Sequence, residues 1–477
     1  MQRRIHARIH AVVHVAARTM LVMCFSVFAH GQTEKAHELP APGQIADMTC
    51  SSDATQSYAL HVPSNYTPAK RWPIIYFFDP GGRGRRPLEL YRELAEAYGF
   101  VFAGSNNSRN FSGDQSQAVR AIWQDTHMRL ALDDRRVYTS GFSGGARVAG
   151  AMAVSSPGQI AGVIAHGAGY PSTRRDLTDK LLYYFAVGNQ DFNWPEIITV
   201  GRERDKLGLS YRVRAYAGSH QWAPPAVMED AIQWLQLKAI QAGDAPADAA
   251  FIDQQFQRVQ QESEDAEKKN DALAQFHVYR HLVFDFAGLR DVNAASTKLS
   301  ALKQSAALKA ALKNEQDQIA EQLSIEREIS PKLRAYETEA VPDLNALGRE
   351  IVQAMVALRE QSSHAKSQER RLVLRRALDD MTVEGIENGQ QELQARHLDK
   401  AESCFDLMTR VSNDAWPVLL LAETRAAMGN KKQAIKDLQE AVHRGLRDTE
   451  LLESDKQLQV LKPEPEFQKL VTQMKEK

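Results

Sequence analysis

VYTSGFSGGARVAG, residues 137–150, runs from a β-branched and aromatic segment through small residues into an Ala- and Val-rich segment. Its centre, Gly141-Phe142-Ser143-Gly144-Gly145, fits the pattern G-x-S-x-G, with a strand expected before it and a helix after it. A serine at the apex of so sharp a turn projects its hydroxyl off the end of a sheet. Side chains two residues to either side would collide with neighbouring backbone, and glycine at Gly141 and Gly145 removes that collision. A helix beginning near Gly144 turns its first N–H groups, and the positive end of its dipole, towards charge developing at Ser143. Taken alone, the pentapeptide also suits an ordinary strand-to-helix turn, so the surrounding chain must decide.

Around it, residues from about Ser57 to Leu237 alternate short β-rich runs with helical patterns, the signature of a mainly parallel sheet with helices on both faces. Strands are expected at Tyr58 to Val62, Pro73 to Phe78, Phe100 to Gly104, Val137 to Ser140, Gly162 to His166, Leu181 to Val187 and Tyr211 to Tyr216. Pro87 to Tyr98 reads as a helix, with proline where its missing N–H costs little. Val227, Ala231 and Trp234 recur at helical spacing and mark a closing helix after Pro225.

A serine hydroxyl needs a histidine base held by a carboxylate, and in this fold class the chain order is nucleophile, acid, histidine. Asp191 follows the strand expected at Leu181 to Val187, and His220 follows the strand after it, so both belong on loops at the sheet edge of Ser143. Singly, Asp191 suits a solvated turn and His220 a surface position; three residues of the right types and order point to a catalytic triad. An oxyanion hole requires two backbone donors. Gly144 supplies one N–H, and the loop FFDPGGRGRR, residues 77–86, places Gly81 or Gly82 where the second belongs.

With these residues the chain resembles the α/β-hydrolase superfamily, and more narrowly the secreted polyhydroxybutyrate depolymerases and feruloyl or acetylxylan esterases. The resemblance rests on DDRRVYTSGFSGGARVA around Ser143, the acid in GNQD, GSHQW around His220, and YALHVPSNY followed by PIIYFFDPGG; it spans about Thr49 to Leu237. It implies an acyl-serine intermediate that water hydrolyses. Such enzymes usually carry a histidine before the oxyanion-loop glycines, where this chain has Asp79-Pro80. Arg83, in that loop, is either a surface arginine or a hold for a substrate carboxylate or phosphate. Trp194 and Trp222, beside the acid and the histidine, either wall a substrate pocket or pack in the core. HELP, residues 37–40, lacks a second histidine at helical spacing, so no metal site and no cofactor are expected.

The whole chain has 477 residues, 43% hydrophobic and 25% charged, with a net charge of -1, which gives no electrostatic case for nucleic acid. Residues 1–31 contain four arginines, no acid, the apolar run LVMCFSVFA and Ala-His-Gly before Gln32, and read as an export signal too short to remain as a membrane anchor. The expected location is periplasmic or secreted. Residues 32–56 then read as a leader, 57–242 as the hydrolase domain and 243–250, GDAPADAA, as a linker. Beyond it strand signals nearly vanish. Residues 251–385 read as helices that form a spacer, a packing layer or a dimer contact, and 386–477 as helical repeats. There Gly389, Ala401, Phe405 and Met408 are matched 33 residues later by Ala422, Ala434, Leu438 and Ala441, a spacing that resembles the tetratricopeptide repeat and implies a possible protein partner. Cys50 and Cys404 fall in different regions and are expected as free thiols.

The chemistry these residues suit is cleavage of a carboxylic ester. Amide cleavage by a serine peptidase uses the same constellation, and a hydrolase segment without a large lid of its own favours small, open-site esters. A periplasmic scaffold with a vestigial hydrolase domain is the reading of another class.

Overall fold

The helix that follows Ser143 sits at the centre of an eight-stranded sheet flanked by helices. The computed structural model of the chain describes residues 39–170, 181–338 and 343–475; the export signal read at 1–31, with Cys24, and the first two residues of HELP lie outside the described residues. The strands are β1 (Ile45–Cys50), β2 (Asp53–His61), β3 (Trp72–Phe78), β4 (Val101–Ser105), β5 (Leu132–Phe142), β6 (Gly162–His166), β7 (Leu182–Gly188) and β8 (Tyr211–Tyr216). Their order across the sheet is β1-β2-β4-β3-β5-β6-β7-β8. The β1–β2 and β2–β4 pairs are antiparallel, and every pair from β4 through β3 to β8 is parallel. This is the strand order of an α/β-hydrolase sheet. Strands β3, β4 and β6 are buried along their whole length, which is why they read as unbroken apolar runs.

Five helices cover this sheet: α1 (Arg85–Tyr98), α2 (Ser116–Arg129), α3 (Gly144–Ser155), α4 (Trp194–Lys206) and α5 (Pro225–Ala242). Alternation along β3 assigns its side chains to two cores. Ile75 and Phe77 join Leu88 and Tyr91 of α1 and Met228, Ala231 and Trp234 of α5 in one cluster. Tyr76 faces the opposite way, and its hydroxyl lies 2.6 Å from Thr126 Oγ1 of α2. From β3 the chain crosses to β4 on one side, while from β5 it runs through β6 to β8 on the other. The crevice at the carboxyl ends of β3 and β5 is therefore the switch point where open α/β sheets bind ligands.

The sheet begins earlier than the sequence suggested. Ile45–Cys50, inside the segment read as a leader, is strand β1 and pairs along β2. Its exposed alternate residues gave only a weak strand pattern.

Beyond Ala242 all described secondary structure is helical: α6 (Ala249–Lys268), α7 (Ala272–Phe286), α8 (Asn293–Gln304), α9 (Ala306–Glu337), α10 (Leu344–His364), α11 (Gln368–Gln394), α12 (Leu398–Val411), α13 (Ala415–Ala427), α14 (Lys431–His443), α15 (Thr449–Ser454), a 3₁₀ turn at Leu458–Leu461, and α16 (Pro465–Lys475). The segment read as a linker is only the short passage from Gly243, which caps α5, to Asp248, whose side chain caps α6. Of the three roles open to 251–385, the contacts are those of a packing layer. Arg280 of α7 donates to the Leu209 and Tyr211 carbonyls at 3.1 and 3.0 Å and to Asp205 at 2.6 Å. Arg212 of β8, 4% exposed, is held between Asp230 of α5 at 3.2 Å and Asp285 of α7 at 3.0 Å. Buried charges need such partners, so these pairs fix where the layer sits. Residues 40–475 accordingly belong to one compact unit.

The boundary placed at 385/386 falls inside α11, which runs unbroken past it. Helices α11 with α12 and α13 with α14 form two successive hairpins, and the matched positions Ala401, Phe405, Met408, Ala422, Ala434, Leu438 and Ala441 are all buried within them. Cys50 and Cys404 are both buried and free. Among the described residues no helix is long and apolar enough to cross a membrane.

Candidate active site

Ser143, between β5 and α3, has φ 54°, ψ −124°, a conformation that non-glycine residues avoid and that persists only where surrounding structure enforces it. The enforcement is visible in the backbone. Ser143 N–H donates to the His166 carbonyl of β6 at 2.9 Å. A Cβ added at Gly141 would stand 2.2 Å from the Gly145 carbonyl oxygen, and one at Gly145 would stand 2.0 Å from that of Phe78 in β3. The two glycines let the turn close on itself and the helix settle on β3. Gly144 is the first residue of α3, where a backbone N–H has no partner within the helix.

Asp191 lies in the turn after β7 and is fully buried. Both its carboxylate oxygens are 3.0 Å from His220 Nδ1, and Asn193 N–H donates to Oδ1 at 2.9 Å. With Nδ1 turned to Asp191, Nε2 is the nitrogen left for chemistry. The imidazole sits between the rings of Phe142 and Phe192, with centroids 4.5 and 4.3 Å away. Phe142 is the residue before Ser143, and Gly167, which packs against both Asp191 and His220, follows the carbonyl that holds Ser143 N–H. Ser143, Asp191 and His220 thus lie on the loops after β5, β7 and β8, at one edge of the sheet. A second histidine is close but unsuited to proton transfer: His166 is fully buried, burial pushes it down to about 3, and its Nε2 lies 3.2 Å from Ser140 Oγ.

The loop after β3 corrects the expected oxyanion donors. Gly81 N–H donates to Asp79 Oδ1 at 2.8 Å and Gly82 N–H to the Asp79 carbonyl at 2.9 Å, so both are occupied. Asp79 itself is fully buried and also accepts from Arg83 Nε at 2.9 Å and Trp222 Nε1 at 3.0 Å. Asp79 organises this loop, its carboxylate taking Gly81 N–H and its backbone carbonyl taking Gly82 N–H. Arg83 is spent on Asp79, with its side chain 54% exposed, and does not reach the cavity at Ser143. Trp222 is core, against Tyr91, Phe142 and His166, and Trp194 lies beneath the Arg376 guanidinium at 4.2 Å. Neither tryptophan lines the cavity.

A residue the sequence did not single out lies beside Gly144. Asn110, on the loop after β4, lies with its side-chain amide against Gly144, where an added Cβ would come 2.0 Å from its Oδ1. Asn110 N–H is tied to the Pro80 carbonyl at 2.8 Å. Nothing in the local run NNSRNF distinguishes this asparagine from its neighbours, because its position beside Gly144 comes from packing across the switch point.

Ser143, Gly144, Asn110 and Phe192 line one side of a cavity of about 760 Å³. The other side comes from α9 and α11, through Leu323, Glu326, Asp380, Val383 and Glu387. The nucleophile candidate is therefore walled by the helical layer, which corrects the expectation of an open site. Burial pushes Glu387 above the usual carboxylate range, opposed by the His220 and Arg147 charges, so this side chain of α11 lies within electrostatic reach of the imidazole. Arg147 is bound to Glu196 through two contacts of 2.9 Å. Among the described residues no group of three or more His, Cys, Asp or Glu side chains is gathered as a metal site.

No protein-family description matches the chain, and no curated protein matches it in sequence. Solved structures do align with it. An S-formylglutathione hydrolase from Staphylococcus aureus aligns at 13% identity and TM-score 0.34, covering 42% of this chain and 99% of that one. A ferulic acid esterase aligns at 12% identity and TM-score 0.33, covering 40% and 94%. A fungal esterase from Rhizomucor miehei aligns at 11% identity and TM-score 0.34, covering 40% and 82%.

Proposed function

We propose that this protein is an exported serine hydrolase that cleaves carboxylic esters through an acyl-serine intermediate. The observation that carries the proposal is the strained Ser143 turn at the switch point, beside an Asp191–His220 pair whose Nδ1 is already committed to the carboxylate. In the proposed reaction His220 Nε2 takes the proton of Ser143 as Oγ attacks the carbonyl carbon, and Asp191 stabilises the imidazolium. The tetrahedral oxyanion is bound by Gly144 N–H and the Asn110 side-chain amide. His220 returns the proton to the leaving alcohol, and water, activated in the same way, releases the acid.

A serine peptidase remains the second reading, and the helical wall supports it: α9 and α11 supply the partner that the hydrolase segment lacks. Incubating the protein with aryl and short-chain esters and with chromogenic peptides separates the two. Ester turnover with acyl-Ser143 trapped by mass spectrometry, and none by Ser143→Ala, is the expected result. Peptide turnover without ester turnover would move the assignment to the peptidases, and no turnover of either would remove it.

A further inference from the structure

The acid loop is gripped from two directions. On the sheet side, Asn189 and Gln190 N–H donate to the Tyr216 and Gly218 carbonyls at 2.8 and 2.9 Å, which ties the loop to the His220 segment. On the other side stand two residues of the helical layer, each 1% exposed: Arg376 of α11 and Gln322 of α9. Arg376 Nη1 donates to the Asn189 carbonyl at 3.1 Å, and Gln322 Nε2 donates to the Phe192 carbonyl at 3.1 Å. Arg376 Nε donates to Gln322 Oε1 at 2.8 Å, and its guanidinium lies over the Trp194 ring at 4.2 Å. The two carbonyls bracket Asp191, so the pair fixes the turn that aims its carboxylate.

For packing alone this arrangement is expensive. The buried Arg376 pairs directly with no carboxylate among the described residues, and its Nη2 has no hydrogen-bond partner. Burial pulls the guanidinium down to about 10, opposed by the charges of Glu326 and Asp191. An apolar side chain of similar volume would avoid this cost.

We propose that Arg376, braced by Gln322, is a positioning residue that sets the Asp191–His220 geometry, so that the helical layer completes the catalytic machinery. The proposal rests on the reading of Ser143, Asp191 and His220 as a triad. Displacing the acid by roughly 1 Å costs about 100-fold in rate. It does so in kcat, since neither residue reaches the substrate.

The test measures aryl-ester kcat and KM for the full chain and for Arg376→Met, Arg376→Lys, Gln322→Met, Asp191→Asn and the Arg376→Met/Asp191→Asn double variant, each checked for folding by circular dichroism. Expected are a loss of about 10- to 100-fold in kcat for Arg376→Met with KM nearly unchanged, a smaller loss for Gln322→Met, and partial recovery in Arg376→Lys. In the Asp191→Asn background, Arg376→Met should cost almost nothing more. Wild-type kcat in a folded Arg376→Met overturns the proposal, as does a loss that multiplies fully with Asp191→Asn. Should Arg376→Met not fold, unchanged kcat in Gln322→Met overturns it. Absence of Ser143-dependent turnover in the unaltered protein would instead overturn the triad reading, and this inference with it.

Discussion

Substituting Gly145→Ala adds one carbon at the point where the helix after Ser143 touches the central strand. That carbon would stand 2.0 Å from the Phe78 carbonyl oxygen. A relaxed carbon–oxygen contact is about 3.3 Å, so α3 and the end of β3 must part by about 1.3 Å. Overpacking of this kind costs about 1–3 kcal/mol. Alanine's better helix propensity returns up to about 1 kcal/mol. The net loss of about 0–3 kcal/mol lowers Tm by several degrees at most. The parting, however, moves Ser143 against Asn110 and His220, and about 1 Å of misplacement costs about 100-fold in kcat. Gly208→Ala is the control: at φ 67°, with nothing within 4 Å of an added Cβ, it carries only the cost of about 1–2 kcal/mol for a left-handed alanine. Thermal melts and aryl-ester kinetics on both should show comparable stability losses, with activity lost only in Gly145→Ala. Wild-type kcat in a folded Gly145→Ala would refute the argument that this close approach sets the nucleophile.

Asn110→Ala should lower kcat by about 100- to 1,000-fold with Tm nearly unchanged, as removal of one oxyanion donor does; unaffected kcat would return that role to the backbone. Arg83→Ala withdraws one partner from the buried Asp79, which keeps Gly81 N–H and Trp222 Nε1, so Tm should fall while KM stays within about twofold of wild type across neutral and anionic esters. A KM that rises only for anionic esters would restore Arg83 to substrate binding. Burial and the charges of Glu326, Glu384 and Glu387 hold Asp380 up at about 7, so the folded protein keeps a proton that the unfolded chain releases. Its contribution to stability is full below about pH 4 and is lost as pH rises through about 7. Tm should therefore fall between about pH 4 and 7, and Asp380→Asn should flatten that fall; an unchanged slope in the variant would contradict the assignment.

The residues legible in the sequence were those whose role is carried by local backbone. Gly141, Ser143 and Gly145 announce a turn because their spacing is itself the constraint, and Asp191 and His220 could be placed because each lies on the loop after a strand, β7 and β8. What was not legible depends on contacts far apart in the chain. Gly81 and Gly82 suit an oxyanion loop by spacing, but the buried Asp79 takes the first N–H with its side chain and the second with its carbonyl. Asn110 acquires its position only when the β4 loop meets Gly144 across the switch point. Trp194 and Trp222 sit beside catalytic candidates in sequence yet point into the core. The helical layer offered no motif because lining a cavity requires only helices of suitable length and side chains that meet the sheet domain, such as Arg376 on Asn189.

The proposed chemistry requires Ser143 to be an activated nucleophile, and reaction with a fluorophosphonate measures that directly. Labelling the full chain and Ser143→Ala, followed by peptide mapping, should place a single adduct on Ser143 and none on the variant. Equal labelling of both proteins would contradict it.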